Sequence, residues 1–248
     1  MKRAEILGLP VDLLDMEKVI ARIAEAVKKK DNCLIITLNA EMAVKAHADQ
    51  ELRDIIRRAS LVLPDGSGIL WALRRKYGLK VPRITGIDLL IRLVKCYEKQ
   101  WRFYFLGARE GIAERAGEII FTSPYKKYLK TRHGYFSMEE EKQIIQEIRE
   151  FKPHLLAVGM GTPRQEKWLE AHRKSLRVPV LIGLGGAFDC LSGRLKRAPQ
   201  WMQEKGLEWL FRVLQEPRRV PRLLSLIKFY ILVQCKEKLH GTGKKRQL

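Results

Sequence analysis

Acidic residues are scarce in this chain. Its 248 residues carry 28 aspartates and glutamates against 48 lysines and arginines, a formal charge of +20 at pH 7. Such an excess implies a polyanionic partner, whether nucleic acid, acidic lipid or a phosphate-rich substrate, and composition alone does not choose among them. Cysteine is scarce too. Cys33, Cys96, Cys190 and Cys235 lie far apart without a Cys-x-x-Cys pair, which argues against disulfide staples or a cysteine-built metal site and fits idle thiols in a reducing cytosol. The five histidines (His47, His133, His154, His172, His240) are equally scattered, so no zinc site is expected. No run of about 18 apolar residues is present, so no bilayer-spanning helix is expected. Met1-Lys2-Arg3 leads into Ala4-Glu5, Asp12 and Asp15, so no secretory signal is expected either. Gly-x-Gly-x-x-Gly, a P-loop and Asp-x-Asp are all missing. A nicotinamide or flavin oxidoreductase is therefore poorly supported. If a nucleotide diphosphate is a leaving group here, arginines and helix termini must meet its charge.

What is present is an alternation of short apolar runs with amphipathic stretches, in a chain with 46% apolar residues. The pattern predicts strands over 5–9, 33–38, 61–63, 102–106, 154–158 and 178–184. Helices are predicted over 16–30, 40–47, 86–98, 112–121 and 138–151. Strands that are continuous apolar runs separated by helices predict a Rossmann-like α/β fold: a mostly parallel sheet with helices on both faces. Ligands of such sheets bind beyond the carboxyl ends of the strands. After about Leu195 the alternation stops. A helix is expected over 199–215, a break at Pro217 and Pro221, a second helix over 222–237, and a polar, basic, disordered end over 241–248. This divides the chain into an α/β core (1–195) and a helical, basic C-terminal appendage (196–248).

The chemistry-bearing residues collect at the predicted strand ends. Thr37 and Asn39 close the run that starts at Cys33; Asn39 reads equally as the cap of the following helix and as a ligand contact. Pro64-Asp65-Gly66-Ser67-Gly68 follows the next strand. Asp65 reads either as a turn residue bonding its own backbone or as a carboxylate presented at the ligand edge, with glycines that let a ligand approach. Apart from Asp189, no other acid is so placed. Arg83, just ahead of the helix opening at Gly86, can steady a diphosphate beside free backbone N–H groups, although alone it also reads as a solvated surface arginine. In Gly159-Met-Gly161-Thr162-Pro163-Arg164-Gln165-Glu166, Thr162 fits an N-cap, Pro163 the first helical position and Gln165 the capping-box position. The two glycines before the cap leave a phosphate- or sugar-sized opening that capping does not require. Two further glycine turns follow strands, at Gly107 to Gly111 and at Gly183-Leu-Gly185-Gly186-Ala-Phe188-Asp189.

Thr37-x-Asn39, Pro64-Asp65-Gly66, Arg83-x-x-Gly86, Gly159-x-Gly161-x-Pro163-x-Gln165-Glu166, Gly186-Ala-Phe188-Asp189 and Lys196-Arg197-Ala198-Pro199-x-Trp201 with Gly206-Leu207-Glu208-Trp209 occur in this order. Together they resemble the WecG/TagA/CpsF glycosyltransferases, glycosyltransferase family 26, over nearly the whole chain. The resemblance implies an inverting transfer of a sugar from a UDP donor to a sugar on an undecaprenyl-diphosphate carrier, and with Asp-x-Asp missing the transfer is expected to be metal-independent. For the TagA-like branch it implies N-acetylmannosamine added to lipid-linked N-acetylglucosamine, toward wall teichoic acid; relatives use UDP-N-acetylmannosaminuronic acid or UDP-glucose. It further implies Asp65 as general base, with Thr37, Asn39 and Gln165 lining the pocket around the donor sugar and its reacting carbon. Asp189 is implied at the uridine and Arg83 at the diphosphate. Arg212, Arg219 and Arg222 are implied to be brought from the appendage to the active site at the membrane.

Two other classes fit the charge. A nucleic-acid binder is disfavoured because aromatic residues do not interleave with basic ones and no recognition motif is present. A non-catalytic membrane adaptor is discriminated by Asp65. The apolar run over 223–233, flanked by Arg218, Arg219, Arg222, Lys236 and Lys238, is about half the length of a span. It reads as an interfacial helix on an anionic membrane, with a core-packed helix as the alternative. The expected location is the inner face of the cell membrane, peripherally attached; the oligomeric state, including a homo-oligomer, is left open.

Overall fold

A computed structural model describes residues 2–216 and 220–239. The chain opens with a hairpin, β1 (Arg3–Ile6) and β2 (Leu9–Asp12), and then α1 (Met16–Lys29). There follow β3 (Cys33–Leu38), α2 (Ala40–Ala48), α3 (Gln50–Arg58), β4 (Leu61–Pro64), α4 (Ser67–Tyr77) and α5 (Gly86–Tyr97). Next come β5 (Phe103–Gly107), α6 (Ile112–Ile120), a 3-10 turn at Tyr125–Tyr128, β6 (Leu129–Arg132), α7 (Met138–Phe151), β7 (Leu155–Gly159) and α8 (Arg164–Leu176). The chain closes with β8 (Val180–Gly183), α9 (Ala187–Leu191), α10 (Gln200–Glu204), α11 (Glu208–Gln215) and α12 (Val220–Leu239).

The apolar runs that pattern as doubly buried strands become a six-stranded sheet in the order β4-β3-β8-β7-β5-β6, parallel at every pairing. Successive side chains of a strand point to opposite faces, so an unbroken apolar run must be covered twice. Leu34, Ile36 and Leu38 of β3 join one core with α2, α3 and α8, whereas Cys33 and Ile35 join the other with α1, α5 and α9. The α/β class expected from the sequence, with helices on both faces, is the observed one. Local signals set the helix ends: Asp15 caps α1 through the Lys18 N–H, and Ser137 and Glu140 form a reciprocal capping box on α7.

Three expectations need correction. The strand predicted over 5–9 is a hairpin, because Leu7 and Gly8 turn at positive φ (53° and 82°) and pair β1 antiparallel to β2. That hairpin covers the outer edge of β4, where the buried Asp12 accepts the Val62 N–H at 2.7 Å and pairs with Arg3 at 2.6 Å. The strand β6 escapes the pattern because, at the other edge, it alternates half-buried with exposed residues and has no apolar run. The helix predicted over 199–215 is two helices, since Gly206 sits at φ +71 with Ser67 packed where a Cβ would stand, only 2.7 Å away.

The C-terminal helix α12 lies along α2 and α4. Phe229 and Val233 are buried in the core and Tyr230 meets Trp71 edge-on at 4.4 Å. Its other side carries Val220, Leu224, Ile227 and Ile231, each at least half exposed. Both readings of this segment thus have a counterpart: one face packs on the core and a second apolar face points away from it. Among the described residues no helix is long and apolar enough to cross a membrane. Phe229→Ala is expected to destabilise the protein by about 3–5 kcal/mol, the cost of an aromatic-sized cavity. Urea unfolding checks this; a change below about 1 kcal/mol would mean that α12 is not part of the cooperative core.

Candidate active site

All strands of a parallel sheet end at one edge, so the residues after β3, β4, β5, β7 and β8 meet there. Next to each other in the sheet, β3 leads into α2 on one face and β8 into α9 on the opposite face. Outgoing helices that part in this way open a crevice between their strands. A cleft of about 460 Å³ occupies that place. Thr37, Asn39, Asp65, Arg83, Gln165, Asp189 and Arg212 all line it. Of the remaining sequence-derived site residues, Arg219 lies outside the described residues, as do Pro217, Arg218 and the segment 241–248, whereas Arg222, Lys236 and Lys238 fall in α12 with their side chains outside the description.

Asp65 follows β4, whose last pairing places its N–H on the Leu38 carbonyl of β3 at 2.9 Å. Gly66, at φ +85, then turns the chain into α4, whose first turn has no side-chain cap. The carboxylate accepts no hydrogen bond among the described residues, so the turn-residue reading of Asp65 does not hold. Burial pushes its pKa up to about 6; Arg212 and Arg83 oppose that shift, and Glu208 and Asp88 reinforce it. The side chain is half-buried and lines the cleft.

The cations around Asp65 are held in ion pairs. Glu208 of α11 bridges two of them, with one oxygen 3.1 Å from Arg83 Nη2 and the other 2.9 Å from Arg212 Nη2. One turn into α5, Asp88 takes both arms of Arg197 at 2.7 Å and accepts the Thr85 hydroxyl. Burial works against the Asp88 charge, yet the Arg197 fork and the Thr85 hydroxyl hold its carboxyl below the usual range. A carboxylate able to accept a proton near neutral pH thus stands beside guanidiniums able to hold a polyanion.

Asn39 meets both of its readings. It caps α2 by accepting the Met42 N–H at 2.9 Å, and it lines the cleft. Thr37 Oγ1 donates to the Gly183 carbonyl at 3.4 Å, tying β3 to β8 at the crevice floor. Asp189, in the first turn of α9, pairs with Arg194.

The segment around Gln165 differs from expectation. Pro163, not Thr162, stands at the N-cap of α8, and no side chain caps it. The Thr162 hydroxyl instead donates to Glu166 at 3.2 Å. Gln165 is 1% exposed. Its oxygen accepts the N–H groups of Gly161 (3.2 Å) and Gly185 (2.9 Å), and its amide nitrogen donates to Glu166 at 2.6 Å. It therefore pins two glycine turns together instead of closing a capping box, because the β8 turn, distant in sequence, supplies a donor that local capping lacks. Gly183 is required beneath it: a Cβ there would stand 2.7 Å from the Gln165 nitrogen. Glu166 is fully buried, and burial raises its pKa.

Three groups carry no role in the sequence reading. Glu208 lies inside a recognised motif, but its place between two arginines depends on α11 folding over the cleft. Lys45, which pairs with Glu41 and donates to the Thr162 carbonyl at 2.9 Å, reads in sequence as an ordinary i,i+4 surface pair. Asp88 reads as a residue of the first turn of α5. Among the described residues no group of three or more His, Cys, Asp or Glu side chains is placed to hold a metal ion.

Sheet and cleft together define an open parallel α/β protein with a polar, arginine-lined binding crevice at the carboxyl edge. The chain belongs to the family described as "Glycosyl transferase WecG/TagA/CpsF family", whose model matches residues 4–243. It is similar to the N-acetylglucosaminyldiphosphoundecaprenol N-acetyl-beta-D-mannosaminyltransferases of Staphylococcus aureus strains MW2 and NCTC 8325. With each it is 30% identical over 241 residues, 96% of this chain and 94% of the relative. The resemblance carried by the ordered motifs is borne out.

The raised pKa of Asp65 has a thermodynamic consequence. The folded protein keeps this proton up to about pH 6, whereas an unfolded aspartate releases it near pH 4. Stability is therefore lost as pH rises through that window, and the loss persists above it. Asp65→Asn is expected to be more stable than the parent at pH 8 by about 2 kcal/mol, with the difference vanishing near pH 4. Thermal unfolding at both values checks this; a variant less stable at pH 8 would refute the burial argument.

Proposed function

We propose that this chain is an inverting, metal-independent glycosyltransferase. It moves N-acetylmannosamine from UDP-N-acetylmannosamine to N-acetylglucosamine carried on undecaprenyl diphosphate, a step toward wall teichoic acid or a related surface polysaccharide. Family membership and the activity for which the relatives are named support the reaction class and the acceptor. The observation that carries the mechanism is the Asp65 carboxylate in the cleft beside Arg83 and Arg212, where burial pushes its pKa up to about 6.

An acceptor hydroxyl attacks the anomeric carbon from the face opposite UDP. As the new C–O bond forms, Asp65 takes the hydroxyl proton, and the bond from the anomeric carbon to the β-phosphate oxygen breaks. A positioned base of this kind typically contributes 10²–10⁴-fold. UDP leaves with its electron pair, and Arg83, Arg212 and the N–H groups at the uncapped start of α4 meet its charge. The reading extends this clamp to Arg219 and Arg222, which lie outside the described side chains. Thr37 and Asn39 border the donor sugar. Gln165, whose oxygen is taken up by two backbone N–H groups, shapes the sugar pocket through the turns it pins, and Asp189 contacts the uridine.

The same reading places the protein at the inner face of the cell membrane, peripherally attached. The exposed apolar side of α12 enters the interface, and the cationic excess faces acidic headgroups, each nearby cation contributing about 1 kcal/mol. Ile227→Glu combined with Ile231→Glu is expected to abolish sedimentation with anionic vesicles while leaving thermal unfolding unchanged, because neither side chain is buried. Undiminished sedimentation of the folded variant would remove this face as the anchor.

The reaction is tested with a panel of UDP-sugars offered with a short-chain lipid-diphosphate N-acetylglucosamine, with and without a chelator. UDP-N-acetylmannosamine is expected to be the preferred donor over UDP-N-acetylmannosaminuronic acid and UDP-glucose, with turnover unaffected by chelation. Its kcat/KM should rise with pH up to about 6 and level above, since only ionised Asp65 accepts the proton. Asp65→Asn is expected to lose at least about 10²-fold in turnover while still binding UDP. Full turnover by that variant would eliminate Asp65 as the base.

A further inference from the structure

Two guanidiniums brought within reach of one small anion repel each other unless something between them carries the opposite charge. In this cleft that charge is Glu208. Its carboxylate is nearly buried, 14% exposed, and spends one oxygen on Arg83 and the other on Arg212. Each arginine uses a single Nη2 for this pair. A guanidinium has five N–H donors in a rigid fork, so both retain donors beyond that contact. Glu208 opens α11 and Arg212 stands one turn later on the same helix, while Arg83 comes from the segment ahead of α5. The bridge is therefore also what ties α11 to the sheet edge beside Asp65.

Resting on the reading of Arg83 and Arg212 as the diphosphate clamp, we infer that Glu208 is a positioning residue for the transfer. Its carboxylate fixes the two guanidiniums on the cleft wall and competes with the nucleotide diphosphate for their charge, so that UDP is held loosely enough to leave. A site with two uncompensated arginines binds a diphosphate in substrate and product alike, and such uniform binding does not speed the chemical step. It slows product departure instead. A fixed internal anion lowers affinity for both nucleotides while keeping the guanidiniums in place.

The same charge acts on the base. The ionisable and charged groups facing this cluster are Asp65 after β4, Arg83 ahead of α5, Asp88 in its first turn, Arg197 before α10, Cys190 of α9 and Arg212 of α11. Within that set Glu208 and Asp88 push the Asp65 pKa up, against Arg212 and Arg83. Removing the Glu208 charge therefore moves the acid limb of kcat/KM to lower pH. This response separates an electrostatic role from mere support of the helix.

The experiment is a calorimetric titration of UDP into the full chain and into Arg83→Ala, Arg212→Ala, Glu208→Gln and Glu208→Asp, with pH–rate profiles for the two Glu208 variants. The alanine variants are expected to bind UDP roughly tenfold more weakly, and Glu208→Gln roughly tenfold more tightly, the scale of one unit charge acting across a solvated cleft. Glu208→Gln should also show a lower kcat and an acid limb displaced below that of the parent. Glu208→Asp keeps the charge and should stay near the parent in both respects; it carries the test if Glu208→Gln does not fold. Weakened UDP binding in Glu208→Gln with an unmoved acid limb overturns the inference, as does Glu208→Asp binding UDP as poorly as the alanine variants. Alanine variants with unchanged UDP affinity would instead overturn the clamp itself, and with it the mechanism on which this inference rests.

Discussion

An ionisable carboxylate withdrawn from water must either find compensating charge or hold its proton, and around Asp65 the protein does some of each. Burial alone would neutralise it, and two arginines alone would leave it a weak base. Two further carboxylates, Glu208 and Asp88, stand behind those cations and restrain their pull. Much of the C-terminal third is arranged by that balance: α11 folds over the sheet edge where Glu208 reaches Arg83, and Arg197 reaches back to Asp88. Segments that look like a basic appendage in sequence thereby become one wall of the cleft.

The cleft floor depends on a different constraint, the close approach of backbones. Gly107 could not carry a Cβ, which would stand 2.5 Å from the Gly159 carbonyl oxygen. Gly183 must leave room for Gln165, whose amide joins the turns after β7 and β8. Neighbouring parallel strands bring these turns side by side, with room between them for backbone atoms and the one Gln165 amide. Sites of this kind offer a ligand N–H groups and helix starts more than long side chains.

The final helix joins core and surface. Packed through Phe229 and Val233 and bare along Val220, Leu224, Ile227 and Ile231, it presents an apolar surface of the kind that marks an interaction site. Leu223 and Leu226 of the same helix line the cleft. One element therefore borders the binding crevice, completes the core and offers an outward apolar face, an arrangement that suits the lipid-linked acceptor proposed above.

Much of this was legible from residue order alone. Continuous apolar runs at β3, β4, β5, β7 and β8 demand burial on both faces, and such burial demands a parallel sheet with helices on each side. The polar residues that close those runs, Thr37, Asn39 and Asp65, then had to share one edge. Ordered motifs carried the family. Contacts between segments far apart in sequence were decided only by the tertiary structure. Gln165 looked like a capping residue because capping is local, whereas its partner at Gly185 is brought near by the pairing of β7 with β8. Glu208 looked like one acid in a motif because nothing local reveals a neighbour more than a hundred residues away. A one-dimensional pattern records what each segment must bury, and the charge that meets a buried carboxylate is settled only when the segments pack.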